Sequence, residues 1–169
     1  MYKLTGIAAC CLAGTLCAQG IEPVKNFDLN RYLGKWYEIA RMPNSFEKNL
    51  VNVTATYSLR DDGKVKVLNE GDRQKDGKHK TAKGVAKFKG DPTIGHLRVS
   101  FFRPFYADYI VAELDTAYQW ALVTGSKPKL LWILSREPML DPAVFDRLVE
   151  KAKSLGYDTS RLLRIPQNR

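Results

Sequence analysis

Cysteine is scarce in this chain and poorly placed for covalent stabilisation: of 169 residues only Cys10, Cys11 and Cys17 carry a thiol, all within the first twenty. If that segment is cut after Gly20, no cysteine remains, which excludes disulfides and thiolate chemistry. Histidine is rarer still, with only His79 and His96, too few to build a histidine-rich metal centre. No Gly-x-Ser-x-Gly elbow occurs, so the usual serine nucleophile is missing. No stretch reaches the roughly 18 consecutive apolar residues of a membrane-spanning helix. What is present, 44% hydrophobic residues, suits one domain with a sizeable core.

The first twenty residues differ from the rest. Lys3 is their only charge, residues 4–16 are apolar or small, and Ala18-Gln19-Gly20 offers small residues at the −3 and −1 positions of a cut. This predicts a signal peptide over residues 1–20, followed by one domain over 21–169. A second reading takes a cysteine as the lipidated first residue of a lipoprotein. Ile7-Ala8-Ala9-Cys10 has suitable small residues but only six residues separate Lys3 from Cys10, whereas Cys17 is better spaced but follows an unsuitable Leu16. A diacylated cysteine would supply two lipid anchors in one residue, and both readings stay open.

Loss of Lys3 leaves 26 of the 27 basic residues against 18 acidic ones, a formal charge of +8. Many lie in one stretch: Lys64, Lys66, Arg73, Lys75, Lys78, Lys80, Lys83, Lys87 and Lys89. Such a hairpin could make peripheral contact with an anionic membrane, or simply be a solvated edge that resists aggregation. Nucleic acid is not an expected partner, because no helix carries a basic face and no aromatic-rich single-strand motif accompanies the charge.

From residue 34 onward, short strands alternate with turn signals. Val51, Val53, Ala55, Tyr57 and Leu59 alternate with Asn52, Thr54, Thr56 and Ser58, giving one dry and one wet face. Asp61-Asp62-Gly63 then marks a hairpin turn. Ala82, Gly84, Ala86 and Phe88 repeat the alternation, as do Leu97, Val99 and Phe101. Residues 109–114, 119–124 and 130–135 are apolar on both faces over much of their length, so something must cover their outer side. The covering element is a helix that Asp141-Pro142 starts and Gly156 stops, with Phe145, Leu148, Val149, Ala152 and Leu155 on one stripe. Residues 161–165 are expected to add a last short strand.

The pattern predicts an all-β fold, an eight-stranded up-and-down antiparallel β-barrel with one C-terminal α-helix packed outside. Small inward residues such as Ala55, Ala82, Gly84 and Ala86 argue for a cavity, although they could instead relieve crowding where a barrel tapers. The expected lining is Tyr57, Phe88, Val99, Phe101, Tyr109 and Trp132, an apolar wall that favours an acyl chain over a sugar or nucleotide.

Several separated motifs carry a family resemblance. Gly34-Lys35-Trp36-Tyr37-Glu38-Ile39-Ala40-Arg41, Thr54-Ala55-Thr56-Tyr57-Ser58-Leu59-Arg60, Val99-Ser100-Phe101-Phe102, the turn Leu114-Asp115-Thr116-Ala117-Tyr118, and Trp132-Ile133-Leu134-Ser135-Arg136 resemble, in order and spacing, a lipocalin of the bacterial outer-membrane lipoprotein branch, similar also to apolipoprotein D-like lipocalins. The resemblance spans residues 26–166. It implies that Arg136 packs over Trp36 at the closed end, with Gly34 opening the first strand, so these three are structural. It also implies binding of fatty acids or lysophospholipids for membrane maintenance, a homodimer as one state, and export from a bacterial cytoplasm to the periplasm or the periplasmic face of the outer membrane.

Loops at 42–46 and 103–106 are expected at the open end, with Arg41 and Arg103 as candidates to meet a lipid head group there; Lys48 is a third. Two rival readings are a lipid esterase or isomerase on the same barrel, and a haem-binding barrel. Both are disfavoured by residue placement: His79 falls in the charged turn region and His96 has outward parity, while Glu38 and Glu113 show no second titrating partner nearby. The expectation is therefore a binding protein, not an enzyme, with no cofactor and no metal.

Overall fold

The computed structural model describes residues 20–125 and 129–168; the segment expected to be a signal peptide, with its three cysteines, lies outside the described residues except for Gly20. Asp28 accepts a hydrogen bond from the Asn30 backbone N–H at 2.9 Å and caps a single helical turn, α1 (Leu29–Tyr32), the usual work of an N-terminal aspartate. Gly34 then enters β1 (Gly34–Arg41) with φ of 94°, a backbone conformation that a side chain disfavours. The positive φ explains the glycine of the Gly-x-Trp step.

Seven further strands follow: β2 (Leu50–Leu59), β3 (Val65–Arg73), β4 (His79–Phe88), β5 (His96–Phe102), β6 (Phe105–Leu114), β7 (Trp120–Thr124) and β8 (Leu131–Ser135). Each pairs antiparallel with the next, and β1 pairs with both β8 and β2, closing the barrel. Closure removes the sheet edges that would invite aggregation. Pairing of β1 with β2 covers only Gly34 to Tyr37. Beyond it the strands separate, and β9 (Leu163–Arg164) pairs with Ala40 and Arg41. Gln167 Nε2 donates to the carbonyls of Glu38 and Val53, both at 2.9 Å, so the tail satisfies backbone groups that the splayed strands leave open.

The helix α2 (Pro142–Ser154) begins as its sequence dictates. Asp141 accepts from the backbone N–H groups of Ala143 and Val144 at 2.9 and 3.2 Å, and Gly156 follows the helix at φ of 89°. Phe145, Leu148 and Ala152 are buried against Leu122, Leu131, Ile133 and Ile39. These are the outward faces of strands apolar on both sides, and each large side chain buried there stabilises the fold by about 1.5–3 kcal/mol. The core thus has two parts: one between helix and barrel, the other inside the barrel around Phe27, Tyr32, Trp36 and Val111.

Candidate functional site

Strand direction gives the barrel a closed and an open end. At the closed end Trp36 is completely buried and its indole Nε1 donates to the Tyr32 carbonyl at 2.8 Å. The Arg136 guanidinium lies 3.9 Å from the Trp36 ring centroid. Its nitrogens donate to the carbonyls of Lys35 at 2.9 Å, Arg31 at 2.7 Å and Tyr118 at 3.2 Å, so one cation ties three segments across the floor. A planar five-donor group is suited to this. Gly34 belongs to the same floor, since a Cβ there would stand 3.4 Å from Arg136 Nη1.

Above the floor is a cavity of about 790 Å³. Tyr57, Val99, Phe101, Tyr109 and Trp132 line it, as the alternation of the strands requires, together with Ala55, Val65, Val67 and Ala86. Phe88, also expected on this wall, does not line the cavity; its ring packs edge-on against Phe27 at 6.1 Å, nearer the floor. The small residues of β4 differ in what they do. Ala82 and Ala86 line open space, whereas a Cβ on Gly84 would come within 2.9 Å of the Phe101 ring. Gly84 therefore accommodates an aromatic ring, and its missing side chain adds no free volume.

Thr54, Asn69 and two connected polar groups interrupt the apolar wall. Tyr109 Oη lies 2.7 Å from Tyr32 Oη and 2.9 Å from Tyr57 Oη, and burial pushes all three phenols above their ordinary range. The second group is acidic. Glu38 and Glu47 are both buried; Arg41 Nη1 donates to Glu38 Oε1 at 2.6 Å, while Arg41 Nη2 donates to the Glu47 carbonyl at 2.5 Å and to that of Leu50 at 3.3 Å. Glu47 Oε2 accepts from Asn44 Nδ2 at 2.6 Å and from Trp132 Nε1 at 3.0 Å. Burial first, and the neighbouring Glu47 second, hold the Glu38 carboxyl well above the usual carboxylate range, against the opposing pull of Arg41. This is a satisfied network that pins loop 42–49 to the wall.

Arg41 is thus not the free mouth cation expected from its position at the end of β1. It is 3% exposed and fully engaged, because a guanidinium this far inside must be paired. Arg103 is exposed in the β5–β6 turn and does not line the cavity. The cations that do line the opening are Lys48, Arg73 and Lys80, beside the aromatic rings of Phe46, Phe102 and Phe105. The Glu38–Glu47 pair was not legible: Glu38 is identifiable on β1, but the carboxyl group beside it comes from a loop. Glu113 instead pairs with Arg147 of α2 at 3.3 Å on the outer side. His79 and His96 sit beside Asp72 and Asp108 at 3.0 and 3.1 Å, and neither lines the cavity.

Comparison with known proteins agrees with this architecture. A family model described as a lipocalin-like domain matches residues 27–167. The outer membrane lipoprotein Blc of Vibrio cholerae is 46% identical over 150 residues, covering 88% of each chain. Mouse apolipoprotein D is 33% identical over 149 residues, covering 82% of this chain and 76% of its own. Among solved structures, insecticyanin from the tobacco hornworm superposes with a TM-score of 0.69 at 23% identity, covering 86% of this chain and 83% of that one. Closed barrel, external helix, arginine-capped floor tryptophan and sequence identity all agree: this chain belongs to the lipocalin family.

Proposed function

We propose that the protein reversibly sequesters an acyl lipid, a fatty acid or a lysophospholipid, in its barrel cavity. The observation that carries the reading is the cavity: about 790 Å³ of mostly aliphatic and aromatic wall, open at one end, within the range of small-molecule sites. Lipocalins are in general binding and transport proteins. An acyl chain entering from the open end gains about 0.8 kcal/mol per buried methylene before ordering costs. Its head group stays near Lys48, Arg73 and Lys80. Likeness to outer membrane lipoproteins supports export and a role in membrane maintenance.

Native mass spectrometry of the exported protein, followed by lipid extraction, tests this directly. Bound fatty acid or lysophospholipid at one per cavity is expected, and the intact mass reports whether a cysteine is acylated. Protein that stays lipid-free and shows no saturable response to added lysophospholipid would overturn the reading.

A further inference from the structure

The open end carries an arrangement that ligand binding alone does not require. Phe46, Phe102 and Phe105 are 61%, 81% and 77% exposed, three of the largest apolar groups left in solvent, and all three border the cavity opening. They come from different segments, the β1–β2 loop and the two sides of the β5–β6 turn, so the fold gathers them into one ring. Exposed aromatics grouped around an opening mark an interaction surface.

The charges between them have one sign. Lys48, Lys80 and Arg103 make no salt bridge among the described residues, and the turn between β3 and β4 adds exposed Lys75 and Lys78. The acids nearby are already engaged: Asp76 by Arg73, Asp72 and Glu70 by His79, and Glu47 inside the loop network. A second copy placed rim to rim would set these cations against each other. An anionic bilayer would instead meet the cations with phosphates and take the rings into its interfacial layer.

We propose that the open end of the barrel is a membrane-docking face, in which Phe46, Phe102 and Phe105 enter an anionic phospholipid bilayer while Lys48, Lys80 and Arg103 contact its phosphates. Docked this way, the cavity opens directly onto the bilayer, and an acyl chain passes between them without crossing water. The purpose rests on the lipid-binding reading, but docking is measured separately from cavity occupancy. The contact lies at the rim, distinct from the outward lysines of the β3–β4 hairpin such as Lys66 and Lys83.

The test is co-sedimentation of the full chain with phosphatidylcholine vesicles, with and without phosphatidylglycerol. Association with the phosphatidylglycerol vesicles is expected, weakened about tenfold in the double variant Phe102→Asp/Phe105→Asp and also in Lys48→Glu/Lys80→Glu. Lys66→Glu/Lys83→Glu should stay within about twofold of the parent. Circular dichroism melting checks that the variants fold. As an independent readout, Phe102→Trp should show fluorescence quenched by phospholipids brominated in their acyl chains. No vesicle association, equal loss in the rim and hairpin variants, an unquenched Trp, or a dimer in lipid-free buffer dispersed by Phe102→Asp would each overturn the proposal. Vesicle binding by protein that never retains lipid would leave docking standing and remove the sequestration reading alone.

Discussion

Arg136 stacks its guanidinium 3.9 Å from the centroid of the Trp36 indole while donating hydrogen bonds to three backbone carbonyls. The two residues are a hundred positions apart in the chain, and their contact closes one end of a cylinder whose other end is open. A cation on an aromatic face contributes about 0.5–2 kcal/mol. Its hydrogen bonds add to this by tying the Arg31, Lys35 and Tyr118 carbonyls to one side chain.

Trp36→Ala should therefore cost about 3–5 kcal/mol of stability through lost burial and the cavity left behind. Arg136→Lys keeps the charge but cannot reach three carbonyls at once, and should cost about 1–3 kcal/mol. Urea unfolding measures both. The bound lipid species, read by mass spectrometry, should be unchanged in Arg136→Lys, because the floor residues do not form the cavity wall.

The carboxyl of Glu38 gives a pH dependence of definite sign. Its folded pKa is raised, so the folded state holds a proton that the unfolded chain releases near the ordinary pKa of about 4.3. Stability contributed by this group is full below that pH and is lost as pH rises towards the folded value. Glu38→Gln should therefore gain on the parent between about pH 4 and neutrality, as read from urea midpoints across that range. A difference that stays flat with pH would show that Glu38 titrates normally.

Removal of Arg41 is harsher. Arg41→Met takes the donor from Glu38 and frees the carbonyls of Glu47 and Leu50, and should cost about 2–5 kcal/mol, at about 1–3 for each buried group left unpaired. Thermal melts check the loss; a variant within 1 kcal/mol of the parent, on the scale of an exposed ion pair, would place Arg41 at the surface after all.

Gly84 and Phe101 should behave as a coupled pair. A methyl at 84 meets the Phe101 ring at 2.9 Å, and overpacking of this kind costs about 1–3 kcal/mol. Gly84→Ala should also push the ring into the cavity and weaken lysophospholipid binding. Phe101→Leu in the same chain should restore much of both losses, and a double-mutant cycle in stability and affinity measures the coupling.

Trp132 should report cavity occupancy. It lines the cavity, whereas Trp36 is sealed in the floor and Trp120 lies outside under the Arg147 guanidinium at 4.6 Å. The fluorescence change on adding lysophospholipid should vanish in Trp132→Phe and persist in Trp120→Phe. Trp132→Phe also removes one of the two donors to Glu47 Oε2, and because Asn44 Nδ2 still donates to that oxygen, a loss of only about 0.5–1.5 kcal/mol is expected.

What was legible in the sequence was what local rules govern. Alternation of Val53, Ala55 and Tyr57 with polar neighbours assigns the inner face because side chains of a strand point alternately to its two sides. Asp141-Pro142 and Gly156 bound α2 because capping and positive φ are properties of a few consecutive residues. The strands apolar on both faces already required a covering helix, and the spaced motifs already resembled the family.

The tertiary structure decided what depends on distant segments meeting. Arg41 sits at a strand end, where a mouth cation is a natural expectation, but the fold of loop 42–49 brings Glu47 and two carbonyls around it and draws it inside. Phe88 and Phe101 share inward parity, yet they stand at different heights in the barrel, one against Phe27 near the floor and the other over Gly84. Exposure of Phe102 and Phe105 likewise follows from where β5 and β6 run out at the rim. Parity sets which face of the sheet a side chain occupies, but its height along the barrel and its partners depend on register and loop conformation, through contacts between residues far apart in the chain.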